Sequence, residues 1–253
     1  MVIFSVVEIH MSKLSTRLDH LVGRPGKDDV LVFVAEKCNS AVIARAAFKR
    51  IGLLAQARQH SRGQLDDNAI FVHNYRCTTY KRSLGQVPSI LDVRKAKRAG
   101  AVVLRFVRDP VDRFLSIWKR YKRFGTSTDG ILYAPKGIKT TEGFIQWLEK
   151  LGSPEKLIRY HPRHRRGVDL HIAAQTFYGE DEAPDLFTET IQVETLRDPA
   201  VCARLKKQYG LEIDASVRSK HWTVEERVTL NDNQKDRVRK LYARDMRFAY
   251  PKK

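Results

Sequence analysis

Ala101–Trp118, AVVLRFVRDPVDRFLSIW, decides how the chain is read. The run from Ala101 to Val107 is apolar and rich in β-branched residues, the composition of a buried strand. Arg108 and Asp109 follow where that strand ends. Pro110 then suits the first position of a helix, and the amphipathic pattern continues to about Tyr121. This junction puts Arg108 at the mouth of a sheet, beside a helix N-terminus that favours anions. Ser116 comes about two helical turns later. A guanidinium at the turn and a hydroxyl on the helix could grip one phosphate.

Strand and helix patterns alternate outward from this segment. Val30–Ala35 (VLVFVA) is a short apolar strand, and Glu36-Lys37-Cys38-Asn39-Ser40 is a polar turn. Ala41 to Leu54 has a helical pattern, with Asn39 or Ser40 available as N-cap. Ala69–Val72 predicts a second strand, ending in His73-Asn74-Tyr75. Ile90–Arg98 and Thr141–Leu151 predict helices, the latter with Phe144, Trp147, Leu148 and Leu151 on one face. Gly125–Lys139 has the composition of a mobile loop over a site. Thr190–Glu194 predicts a further strand and Leu196–Gly210 a helix. Thr223-Val224-Glu225-Glu226 has the form of a capping box, and one last helix is expected from about Asp232 to Phe248. The alternation argues for a single α/β domain with a central, largely parallel sheet flanked by helices. Residues 1–29 read as an N-terminal extension and residues 30–253 as the domain, with no internal repeat or linker.

Bulk properties bound the function. The chain has 253 residues, enough to bury a sizeable core. Its mean hydropathy of −0.43 is that of a soluble globular protein. No run reaches the roughly 18 apolar residues that span a bilayer, and MVIFSVVEIHM lacks the basic leader and cleavage site of a signal peptide. Three cysteines, Cys38, Cys77 and Cys202, have no paired spacing, so neither a disulfide framework nor a metal site is indicated. A reducing, cytoplasmic setting is expected.

The net charge is +18, with a pI near 10.0. Such a balance signals an anionic partner: a nucleotide, an acidic glycan, a nucleic acid or an anionic membrane surface. The basic residues are spread, with local clusters at Arg94–Arg98, Lys119–Arg123, Arg159–Arg166 (RYHPRHRR) and Lys235–Lys240. No zinc-finger spacing, RNA-binding aromatic signature or heptad-plus-basic pattern accompanies them, and no nucleic acid is expected.

The turn after the first strand delivers Lys37 to a helix N-terminus, where backbone amides can cradle a phosphate. It is not a Walker A loop, because the Gly-x-x-x-x-Gly-Lys-Ser/Thr pattern is missing. Alone it is an ordinary strand-to-helix turn with a solvated lysine. Lys37-x-x-Ser40 followed by Arg108-Asp109-Pro110 and Ser116, however, resembles the family 2 sulfotransferases, the carbohydrate and heparan sulfate type. Ile191-Gln192-Val193-Glu194-Thr195-Leu196 is similar to that family's strand ending in Glu-x-Leu. Leu241–Tyr250 (LYARDMRFAY) resembles its closing helix, with Tyr, Asp, aromatic and Tyr at similar spacing. The resemblance runs over roughly residues 30 to 250 as ordered short motifs.

The resemblance implies a P-loop-like fold without a Walker A motif and a 3′-phosphoadenosine 5′-phosphosulfate (PAPS) cofactor. Lys37, Asn39, Ser40 and Ala41 would surround its 5′-phosphosulfate, and Arg108 and Ser116 would bind its 3′-phosphate. The family prefers Pro before the lysine and Gly-Ser-Thr after it, where this chain has Glu36 and Asn39-Ser40-Ala41. Lys37 would neutralise the leaving group's bridging oxygen, and His73 is the first candidate for the base that takes the acceptor's proton. A reference pKa of about 6.5 suits a histidine to that task. Glu194 is the second candidate, with His161 and His164 behind it. Cys38 is expected to be buried filler, Trp118 and Trp147 core, and Trp222 more exposed. The acceptor would be a small molecule or glycan, acidic if the RYHPRHRR cluster grips it. No metal is required. The alternative is a non-catalytic polyanion or nucleic-acid binding protein, which explains the charge but not the setting of Arg108 and Ser116. A nucleotide-dependent kinase should show a Walker lysine and a metal-binding carboxylate after a strand, and the sequence shows neither.

Overall fold

The computed structural model describes residues 21–35, 38–60, 72, 75–80, 83–84, 88–124, 137–152, 172, 174–176, 183–214 and 228–250. The expectations for residues 69–71 of the second predicted strand, residues 125–136, the RYHPRHRR cluster, Trp222 and Thr223–Glu226 lie outside these residues. The chain divides into two units, Met1–Val107 with Tyr178–Thr223, and Arg108–Phe177 with Val224–Lys253.

In the first unit, four strands line up in the order β1-β2-β3-β4: β1 Leu21–Val22, β2 Val30–Val34, β3 Val102–Val107 and β4 Glu189–Gln192. β2, β3 and β4 are parallel, with Val32 opposite Leu104 and Phe106 opposite Ile191. β1 joins the outer side of β2 antiparallel, pairing Leu21 with Phe33. The sheet therefore begins at Leu21, upstream of the strand the sequence marks first. Parallel strands covered on both faces are near-continuously apolar, and all five residues of VLVFV in β2 are buried. The mixed α/β architecture with a mostly parallel, helix-flanked sheet is as expected.

One face of the sheet carries Val30, Val32, Val34, Leu104, Phe106 and Ile191, packed in one core with Ile43 and Phe48 of α1 (Ser40–Arg50) and Leu205 of α6 (Pro199–Tyr209). The other face carries Arg105, which is 2% exposed. Its guanidinium lies 5.1 Å from the centroid of Phe187, a ring that meets Phe33 edge-on at 5.3 Å. α3 (Ile90–Arg98) also packs against β3. Its boundaries match expectation because Ser89 and Asp92 form a reciprocal capping box.

α1 ends earlier than its hydrophobic pattern predicts. Gly52 takes φ 74°, and the Leu53 N–H turns back to the Phe48 carbonyl at 2.8 Å, a Schellman closure. A second short helix, α2 (Leu54–His60), follows. β4 likewise stops at Gln192, where the Thr195 hydroxyl donates to the Gln192 carbonyl at 2.7 Å. Glu194 thus sits in a 3₁₀ turn, Val193–Arg197, rather than in the strand. Glu189 fixes β4 to α6 through Arg204, at 2.5 and 2.9 Å, and accepts from the Tyr209 hydroxyl at 3.0 Å. These partners, Arg204 first, hold its carboxyl below the usual carboxylate range.

The β1–β2 hairpin is anchored twice. Asp28 accepts from the Arg24 N–H at 2.6 Å and pairs with its guanidinium at 3.0 Å. Gly23, at φ 110°, donates its N–H to the Tyr80 hydroxyl at 2.9 Å. A Cβ there would meet the Val30 carbonyl oxygen at 2.8 Å, so both the backbone conformation and the space require glycine.

The second unit is helical in its described residues: α4 Pro110–Phe124, α5 Thr141–Leu151, α7 Asp232–Leu241 and α8 Ala243–Ala249. Its core joins Phe114, Ile117, Trp118 and Tyr121 of α4 to Phe144, Ile145 and Leu148 of α5 and Val238 of α7. Trp118 is 2% exposed and Trp147 packs against this cluster, so both are core residues as expected. Arg237 clasps α7 to α5, reaching Glu142 at 2.5 Å and Glu149 at 2.6 and 2.7 Å. The single late helix expected over Asp232–Phe248 is two, broken at Tyr242 with φ −103° and ψ 33°. Among the described residues no helix is long and apolar enough to cross a membrane.

Candidate functional site

Parallel strands present their C-terminal ends on one edge, where α/β proteins bind ligands. In the first unit, the turn after β2 and Glu194 after β4 lie on that edge. Lys37 and Glu36 of the turn, and His73, lie outside the described residues. Cys38 is fully buried, in line with a filler role. Asn39 is exposed and takes φ 56° and ψ 33°, the only left-handed non-glycine among the described residues.

Asn39 is the N-cap of α1 by position, but its side chain makes no capping hydrogen bond. Only its carbonyl serves, accepting from Val42 and Ile43 at 3.1 and 3.2 Å. A left-handed residue entering a right-handed helix turns successive amides toward one side, an arrangement that takes anions. Ser40 and Ala41, half-buried, supply first-turn amides that have no intrahelical carbonyl to meet. The first turn contains no acidic residue, so the positive end of α1 is not cancelled from within the helix.

Arg108 opens the second unit and is half-buried. Its backbone N–H donates to Gln175 Oε1 at 2.7 Å, and its carbonyl accepts from Gln175 Nε2 at 2.8 Å. Asp109 caps α4: its Oδ1 accepts from the Val111 and Asp112 amides at 2.8 and 3.2 Å. Pro110 occupies the first helical position, as its sequence context predicts.

The expectation that this helix end attracts an external anion needs correction. A carboxylate of the chain itself already occupies it. Ser116 is half-buried on α4, about 9 Å along the axis from Pro110. The two helix N-termini thus differ: Asp109 caps α4 through its carboxylate, whereas the Asn39 side chain makes no capping bond at α1.

Glu194, the second candidate base, is half-buried in its 3₁₀ turn. Gln175 was not legible as a site residue. It lies 67 residues from Arg108 in sequence, in a segment without a motif. Among the described residues no cluster of His, Cys, Asp and Glu could hold a metal ion.

A cleft of ≈ 620 Å³ lies along the flank of α1, with Arg45, Lys49, Arg58 and Glu212 among its lining. Hydrogen bonds from Lys49 and Lys206 hold the Glu212 carboxyl down to about 2. Val42, whose N–H donates to the Asn39 carbonyl, also lines the cleft. Lys49 is beside Arg50, which pairs at 2.7 Å with Asp29 just before β2, at the opposite edge of the sheet.

Asn39 suits its left-handed conformation. Glycine and asparagine are the residues that most readily enter the left-handed region. Asn39→Gly is therefore expected to leave the melting temperature nearly unchanged. Asn39→Val should cost about 1–2 kcal/mol, measured by denaturant unfolding. Equal stability of the two variants would contradict the left-handed turn.

No protein-family model, no curated protein and no solved structure matches the chain.

Proposed function

We propose that the protein transfers a sulfuryl group from PAPS to a hydroxyl of a saccharide or glycoconjugate, on a P-loop-like sheet without a Walker A motif. The observation that carries the reading is the junction after β3. Arg108 leaves a central parallel strand straight into a helix that Asp109 caps, so its charge is not needed to start that helix. The left-handed entry to α1 supports the 5′ half, since it turns successive amides toward one side, an arrangement that takes anions.

In this reading Arg108 and Ser116 hold the 3′-phosphate. Lys37 and the Asn39–Ala41 amides hold the 5′ end. The acceptor oxygen bonds to sulfur as the bond from sulfur to the 5′-phosphate oxygen breaks, and the nucleotide leaves as adenosine 3′,5′-bisphosphate. The acceptor's proton passes to His73, with Glu194 as the other candidate base. Lys37 offsets the charge that grows on the departing oxygen, so positioning and charge stabilisation do most of the work.

Calorimetric titration with adenosine 3′,5′-bisphosphate, set beside adenosine 5′-monophosphate, tests the reading. Tighter binding of the bisphosphate is expected. No binding, or equal affinity for the two, would remove it. The net charge of +18 favours the second reading, a polyanion binder. That protein would bind heparin or nucleic acid without distinguishing the two nucleotides.

A further inference from the structure

We infer that Gln175 is a positioning residue for Arg108 and that Asp245 holds it in place, so that the C-terminal helix sets the aim of the 3′-phosphate ligand. The inference rests on the reading of Arg108 as that ligand.

At Arg108 the β3 ladder has ended, since its last paired residue is Val107, opposite Gln192. The Gln175 carboxamide takes over as a substitute strand. It accepts from the Arg108 N–H at 2.7 Å and donates to the Arg108 carbonyl at 2.8 Å. A carboxamide carries both the acceptor and the donor that this pairing needs. With both groups held, the Cα–Cβ direction of Arg108 is set. A bidentate guanidinium–phosphate contact depends on that preorganisation.

Gln175 is 3% exposed, so burying it is costly unless its polar atoms are matched. Its own backbone is held from α8. Asp245, fully buried, accepts from the Gln175 N–H at 2.9 Å through Oδ2. Asp245 Oδ1 accepts from the Thr176 N–H and hydroxyl at 3.0 and 3.1 Å. Tyr242 holds the same segment from the helix break, donating its hydroxyl to the Ile172 carbonyl at 2.8 Å. The buried Arg113 guanidinium lies 5.8 Å from the centroid of the Tyr242 ring. Tyr242 and Asp245 therefore form one anchor for residues 172–176, and Gln175 is where that anchor meets Arg108.

The test uses the full chain, titrated with adenosine 3′,5′-bisphosphate and with adenosine 5′-monophosphate. Gln175→Leu removes both hydrogen bonds to Arg108 at similar volume. Thr176→Val weakens the same anchor without touching Arg108. Gln175→Leu is expected to weaken bisphosphate binding by about tenfold or more while leaving the monophosphate nearly unchanged. Thr176→Val should lower the melting temperature and leave the ratio of the two affinities intact. Should Gln175→Leu not fold, Gln175→Glu keeps the acceptor for the Arg108 N–H and loses the donor, and an intermediate loss of the ratio is expected.

A preserved ratio in the Gln175 variants overturns the positioning role. If the wild type does not distinguish the nucleotides, the sulfotransferase reading falls and this inference with it. If it does, and Arg108→Ala alone abolishes the distinction, only the inference falls.

Discussion

Asp245→Ala is expected to lower the free energy of unfolding by about 3–5 kcal/mol. The carboxylate is fully buried and accepts three hydrogen bonds, from two backbone amides and one hydroxyl. Alanine strands all three donors away from water, at about 1–3 kcal/mol for each buried group left unmatched. Asp245→Asn is the sharper variant. It keeps the volume, but one of its two positions becomes an NH₂ facing a donor, so a loss of about 1–3 kcal/mol remains. Urea unfolding of both variants checks the order. An Asp245→Asn protein as stable as wild type would mean that one of the oxygens is dispensable.

Arg108→Ala is expected to weaken binding of adenosine 3′,5′-bisphosphate by about 10- to 100-fold. A charged hydrogen-bonding group contributes about 1.5–3 kcal/mol, and each 1.4 kcal/mol is about tenfold in affinity. Ser116→Ala removes a neutral partner and should cost about tenfold or less. Adenosine 5′-monophosphate, which lacks the 3′-phosphate, should bind both variants as it binds wild type. Bisphosphate affinity untouched by Arg108→Ala would end the assignment of that residue.

Local signals carried most of the architecture. β2 and β3 are legible because burial on both faces makes them near-continuous apolar runs, broken in β3 only by Arg105. Ile90–Arg98 and Thr141–Leu151 match residue for residue because their caps are sequence-local: Ser89 with Asp92, and Thr140 accepting from the Gly143 amide at 3.1 Å. The departures have non-local causes. Periodicity runs through Tyr242, whereas the chain breaks there with its hydroxyl on a carbonyl 70 residues away. The early end of α1 needs Gly52 to be recognised as a left-handed closure rather than a tolerated interior glycine. The split of Leu196–Gly210 into a 3₁₀ turn and a helix follows from Asp198, which caps α6 ahead of Pro199.

At the candidate site the sequence marks Arg108, Asp109 and Pro110 but cannot assign their roles. Asp109 emerges as the cap, and Asn39 as a backbone device whose side chain does not cap. Gln175 was illegible because nothing in AAQT announces a partner so far upstream. Asp245, by contrast, stood in a recognisable motif whose buried purpose the spacing could not state.

Burial of the Tyr80 ring gives the first unit an alkaline limit. Burial pushes the Tyr80 hydroxyl up to about 12 from its ordinary value near 10. The folded chain therefore holds that proton more tightly than the unfolded one does. The linked stability is complete below about pH 10 and drains away as the pH climbs from there toward 12. The Gly23 N–H, which donates to that oxygen, favours the charged form, so the alkaline limit lies in the burial of the ring and not in its bond to the hairpin.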